Sequence, residues 1–169
     1  GKLEYMSGSA QEIELKFIVC SDSSAKTGVV RKFASDMETL GLTVNIQELT
    51  WENYIQALED GDFDMYYGEV KLRNNFDVTE LLDPDSDLNY SRGKDSSFVG
   101  YINNYLAAGD TSRSAMFQQL CQYIAGTGSL ISIGFETHQF ISHRGVIKGV
   151  NPNAGNPLYD FPNWEIMLD

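Results

Sequence analysis

Between Glu12 and Tyr67 the apolar residues fall first at every second position, then at every third or fourth, and back again. This change of period constrains the fold more than anything else in the chain. Ile13, Leu15, Phe17 and Val19 alternate with Glu12, Glu14 and Lys16, which predicts a strand with one covered face. Ser21, Asp22, Ser23 and Ser24 form a turn that supplies a helix cap. Val29, Val30, Phe33, Met37 and Leu40 predict a helix over residues 25–40, stopped by Gly41. Leu42, Val44 and Ile46 alternate with Thr43, Asn45 and Gln47 and give a second strand. Trp51, Tyr54, Ile55 and Leu58 share one face of a second helix, with Thr50 as N-cap, Glu52 in the first turn and Gly61 at the close. Residues 63–67 then read as a short aromatic strand ended by Gly68. The order β-α-β-α-β implies an α/β fold with a mixed, mostly parallel sheet flanked by helices.

Ligands of open α/β sheets gather beyond the carboxyl ends of the strands. The polar loop that follows Tyr67, with Glu69, Lys71, Arg73, Asn74, Asn75 and Asp77, is therefore a candidate binding edge. Residues 71–95 are polar and show little periodicity; a loop this long is usually functional or covers a neighbour. Asn89 and Tyr90 lie in it and are further candidate contacts. Trp51, Tyr54 and Phe63 match the periods of their elements and read as core. Phe98, Tyr101, Ile102, Tyr105 and Leu106 predict a helix broken at Gly109 and Asp110. Met116, Leu120, Tyr123 and Ile124 predict another, capped by Asp110 or Thr111 and stopped by Gly126. Leu130, Ile131 and Ile133 read as a strand, and residues 140–150 as weaker extended segments. Residues 1–11 read as a polar lead-in. Residues 152–169, with Pro152, Pro157 and Pro162, read as an irregular arm ending in an apolar stretch.

The formal net charge of −12 argues against a nucleic-acid backbone or an anionic membrane as partner. Acid is concentrated from Asp60 to Asp87, as a solvated face or as a rim that attracts cations. No apolar run approaches the ~20 residues of a membrane span, and no signal peptide is expected within these residues. The opening residue is Gly1, not Met, so a fragment or a processed product is expected. Cys20 ends a predicted strand and Cys121 lies in a predicted helix; buried free thiols are favoured over a disulfide.

Chemistry is sparse. Asp83, Asp85 and Asp87 imitate the start of a calcium loop, but Leu88 and Lys94 stand where Gly and Glu are needed. His138 and His143, the two histidines, have a poor spacing for zinc. No nucleophile elbow or P-loop is present. No catalysis, cofactor or metal is expected. Two alternatives stand beside a binding role: a protein-interaction module docking a basic partner on its acidic face, and a hydrolase using His138 or His143.

A family resemblance enters at the motif W-E-x-Y-x-x-x-L-x-x-G-x-F-D-M from Trp51 to Met65, followed by G-E-V-K-L from Gly68 and N-F-D from Asn75. In order and spacing these residues resemble the second, C-terminal lobe of the oligopeptide-type (family 5) extracellular solute-binding proteins of bacterial ABC transporters. The opening residues 1–5, Asn89 and Tyr90, the helix with Arg113 and Phe117, residues 130–135 and the Gly149 region follow the same order. The resemblance implies a single lobe, over residues 1–169, of a type II periplasmic-binding-protein-like fold, with residues 152–169 returning toward a missing first lobe. It implies a substrate-binding component that takes an oligopeptide or similar small solute in a cleft and delivers it to the permease's transmembrane subunits. It implies an extracytoplasmic place, in the periplasm or as a cell-surface lipoprotein. The implied contacts are Tyr67, Glu69, Lys71, Arg73, Asn75, Asp77, Asn89 and Tyr90. By alignment Asn75 stands where peptide binders of the family carry an Asp that pairs with the ligand's amino terminus, and Asp77 could substitute for it. The family also carries nickel chelates and oligosaccharides.

Overall fold

The structure is a computed structural model that describes residues 2–7, 9–72, 75–91, 96–135, 139, 141, 145–153 and 155–167; for 5–7 and 9–11 it describes the backbone alone. The chain divides into two compact units, Gly1–Val70 and Lys71–Asp169.

The first unit holds β1 (Glu4–Ser7), β2 (Ser9–Glu12), β3 (Glu14–Cys20), α1 (Ser24–Thr39), β4 (Thr43–Leu49), α2 (Trp51–Asp60) and β5 (Met65–Tyr66). β3 lies between β4 and β5, parallel to both, in the order β4-β3-β5. α1 and α2 each pack on β3. Phe17 and Val19 enter a cluster with Val30, Ala34 and Val44, and the Phe17 ring meets Phe33 edge-on at 5.8 Å. Successive side chains of a strand point to opposite faces, yet Ile18 and Cys20 are buried too. The sequence suggests one covered face for β3. Its carboxyl half is buried on both, because α1 and α2 cross on opposite faces of a parallel sheet.

The polar lead-in is not irregular. Glu4–Ser7 and Ser9–Glu12 pair as an antiparallel hairpin with Ser7 opposite Ser9. Polar residues make such a ribbon through backbone pairing, without the apolar alternation that marks a core strand. Leu3 N–H donates to Gly41 O at 2.7 Å and ties the hairpin's start to the α1–β4 turn.

The second unit holds α3 (Thr79–Leu82), α4 (Ser97–Ala107), α5 (Arg113–Thr127), β6 (Ile147–Lys148) and β7 (Glu165–Ile166). Phe98, Ile102 and Tyr105 of α4 pack with Leu120 of α5 and with Val78 and Leu82. Tyr101 stacks on Tyr123 at 4.6 Å. Ser112, not Asp110 or Thr111, stands at the N-cap of α5, and the helix closes at Gly128 (φ 66°), two residues past Gly126. The Arg113 guanidinium bonds back to Ala108 O at 3.0 Å. Residues 130–135 carry no regular secondary structure, and Ile131, Ile133 and Phe135 are exposed. Alternation qualifies a segment as a strand only where a neighbour offers its backbone. Near the C-terminus β6 pairs antiparallel with β7, and a 3₁₀ turn, Phe161–Asn163, precedes β7. Cys20 and Cys121 are both free thiols; Cys20 is buried as expected, whereas Cys121 lies on the exposed side of α5.

Candidate functional site

Parallel pairing sends the carboxyl ends of β4, β3 and β5 in one direction. Leu49 pairs with Cys20, and Tyr66 with Ile18. Tyr67 continues the β5 edge: its N–H donates to Ile18 O at 3.1 Å. The Tyr54 hydroxyl of α2 donates to Tyr67 O at 2.7 Å, so the helix holds the strand's exit. A Cβ at Gly68 would meet the Tyr66 ring at 3.1 Å, a tight contact that the ring would have to relieve by a few tenths of an ångström.

Glu69 is exposed and does not stand alone. Its carboxylate lies 3.2 Å from Lys26 Nζ, which also reaches Asp22 at 3.3 Å. Burial pulls the Lys26 ammonium down, but hydrogen bonds and charge from Glu69 and Asp22 outweigh it, and its pKa ends above the ordinary lysine value. On the hairpin, hydrogen bonds from Lys2 and then Thr43 hold the exposed Glu12 carboxyl below its ordinary value.

In the second unit Lys71 is exposed, while Arg73 and Asn74 lie outside the described residues. Asn75 and Asp77 share one turn, with Asn75 Oδ1 accepting from Asp77 N at 3.3 Å. The buried Tyr105 donates its hydroxyl to Asn75 O at 2.6 Å. Asp77 Oδ1 accepts from the Thr79 amide at 3.0 Å and from its hydroxyl, which commits that oxygen to the start of α3. Between them Phe76 takes φ 55°, uncommon for a bulky residue. Its ring meets Phe117 at 6.3 Å and Phe135 at 5.9 Å. Asn89 is 6% exposed; its amide donates to Asp83 O at 3.1 Å and its oxygen accepts from Ser91. Tyr90 beside it is half-buried.

The structure thus brings Tyr67 and Glu69 together at the exit of β5, Asn75 and Asp77 in one turn, and Asn89 and Tyr90 in the loop after Asp83. His138 and His143 lie outside the described residues. Among the described residues no group of three or more His, Cys, Asp or Glu is placed to hold a metal ion, and no helix is long and apolar enough to cross a membrane.

Sequence reasoning missed Lys26 and Asp22. Their i,i+4 spacing across a strand-to-helix turn was legible, but the link to Glu69 forms only once β5 lies beside β3. The helical period places Trp51 in the core, but it is 60% exposed. As the first residue of α2 it projects past the end of the packed stripe, tilted against Tyr54 at 6.2 Å.

No family model matches the chain, and no curated protein matches it. Solved structures share its fold. The oligopeptide-binding protein AppA from Bacillus subtilis, in complex with a nonapeptide, aligns with TM-score 0.59 and 13% identity over 96% of this chain and 33% of its own. A protein described as a candidate peptide-binding protein, AppA from Clostridium difficile, aligns with TM-score 0.66 and 13% identity over 93% of this chain and 34% of its own. NikA from Brucella suis, in complex with Fe(III)-EDTA, aligns with TM-score 0.55 and 14% identity over 68% of this chain and 24% of its own. The chain spans 24% to 34% of the length of these three structures.

Proposed function

We propose that this chain, whose fold is that of a part of the peptide- and nickel-type substrate-binding proteins, is the second lobe of such a protein. The observation that carries the reading is that 93% and 96% of the chain align on about a third of two much longer binding proteins. In this reading the first lobe of the same protein supplies the other wall of the cleft. The occupant is an oligopeptide or another small solute, and closure is a hinge motion stabilised by contacts made to the solute in the closed state. The loaded protein then presents the solute to the transmembrane subunits of an ABC permease, outside the cytoplasm, and performs no chemistry.

Tyr67, Glu69, Lys71, Arg73, Asn75, Asp77, Asn89 and Tyr90 are the proposed contacts. Glu69 has the best physical support, because it is exposed just past the carboxyl edge of a parallel sheet; Tyr67 leaves the same edge, but its ring packs on the Phe17 and Val44 cluster. Asp77 has less, since one carboxylate oxygen already serves Thr79. The exposure of Ile131, Ile133, Phe135 and Ile141 also fits a chain that leaves apolar surface for the rest of a longer protein.

The test is to purify the full-length protein that carries this chain under native conditions and to identify bound small molecules by mass spectrometry. Each candidate is then titrated back by calorimetry. The expected result is one co-purifying solute, with affinity weakened by Glu69→Gln. A full-length protein that retains nothing and binds neither peptides nor metal chelates would sink the reading.

A further inference from the structure

The crevice beyond β3 and β5 is where the connections of this sheet part. β3 leads through α1 to β4 on one side, and β5 lies on the other. Open α/β sheets bind ligands at such a switch point. Three charges meet there: Asp22 in the turn leaving β3, Lys26 in the first turn of α1, and Glu69 after β5. The Lys26 side chain is 21% exposed, against 51% for Asp22 and 61% for Glu69. The Lys26 stem is therefore the more covered member, its ammonium is held between two carboxylates, and those carboxylates are turned to solvent.

Resting on the reading of Glu69 as a solute contact, we propose that Lys26 is a positioning residue of the site. It fixes the Glu69 carboxylate beside Asp22 across the β3–β5 crevice, so that an acceptor which β5 alone does not orient is set in place before the solute arrives. Backbone pairing of β5 with β3 ends at Tyr67 N–H. The ion pair to Lys26 reaches two residues further along the chain. Preorganised acceptors bind more tightly because less ordering remains at the moment of binding.

Two consequences of removing Lys26 oppose one another, and their sign separates positioning from simple charge. Losing a cation beside Glu69 leaves the crevice more negative and, by Coulomb attraction alone, strengthens the grip on a cationic group. Losing the anchor releases the carboxylate and weakens that grip. Glu69 is mostly exposed, so the longer-range repulsion between Lys26 and a bound cation is screened at physiological salt, whereas the 3.2 Å contact that orients Glu69 is far shorter than the screening length and is screened less.

The full-length protein is compared as wild type, Lys26→Met and Lys26→Arg, with trialanine, which carries a free ammonium, as the calorimetric probe. Amide hydrogen exchange is followed in residues 21–26 and 67–71. Lys26→Met is expected to raise exchange several-fold in both segments, to leave β3 and β4 unchanged and to weaken trialanine binding several-fold; Lys26→Arg is expected to restore both. Tighter or unchanged binding by Lys26→Met, or unchanged exchange, would overturn the positioning role. Should Lys26→Met fail to fold, Glu69→Gln breaks the same pair from the other side and must raise exchange at 67–71. A wild type that ignores trialanine counts against peptide binding as the function. The exchange data, with their rescue by Arg, then decide on Lys26 alone.

Discussion

Tyr54 and Trp51 lie on the same helical stripe, and the sequence treats them alike. The structure separates them: Tyr54 is 5% exposed and Trp51 60%. The difference lies in position along α2, which a face-counting argument does not contain. Tyr54 sits over the sheet, with its hydroxyl on Tyr67 O, while Trp51 begins the helix and overhangs its end. Their substitutions should therefore diverge. Tyr54→Phe keeps the ring and removes the donor from a partly buried carbonyl, at a cost of about 1 kcal/mol. Trp51→Ala removes a mostly solvated ring and should stay within about 0.5 kcal/mol. Urea unfolding with unchanged m values checks both; equal losses would show that the two side chains share one environment after all. The same limit applied to the candidate site. Glu69 was legible as a polar residue after a strand, but the lysine that holds it was not, because the pair forms only after folding.

At the scale of elements, α2 has two boundary signals of different strength. At its start, Thr50 Oγ1 accepts from Asn53 N at 3.5 Å, the long limit of a hydrogen bond. At its end, Gly61 adopts φ 71° and its N–H returns to Ala57 O at 3.0 Å. A weak cap and a backbone conformation that penalises a Cβ predict an order. Thr50→Ala should cost about 0.5 kcal/mol, the low end for an N-cap. Gly61→Ala should cost about 1–2 kcal/mol, and Gly61→Asn less, because Asn tolerates the left-handed region. Thermal unfolding of the three variants checks the ranking, and Thr50→Ala as the worst would invert it. Both signals were readable in the sequence, as was the whole run from β3 to β5, because period and punctuation agree there. Elements were misread where partners decide. The β1–β2 hairpin is polar yet paired, and residues 130–135 alternate yet find no pairing. The end of α5 slipped from Gly126 to Gly128 because either glycine could stop the helix, and only the second has positive φ.

For the molecule as a whole, charge is the property that composition fixes and the structure explains. Residues 1–70 carry five basic and thirteen acidic side chains. All five cations, Lys2, Lys16, Lys26, Arg31 and Lys32, already sit against carboxylates. Salt thus has two opposing effects: it weakens these pairs and relieves repulsion among the excess acids. Exposed pairs contribute about 0–1 kcal/mol each, and the cations are outnumbered more than two to one. Repulsion should win. Raising NaCl from about 0.05 to about 0.5 M shortens the screening length well below 10 Å and should raise Tm. Glu38→Lys tests the cause. Glu38 is exposed in the last turn of α1, which holds no basic residue, and a cation there suits the helix dipole as well as the net charge. At low salt this variant should melt above the wild type by the equivalent of about 0.5–1 kcal/mol, and the gain should shrink as NaCl rises. A Tm that falls with salt, or a gain from Glu38→Lys that salt leaves untouched, would mean that the local ion pairs outweigh the acidic field.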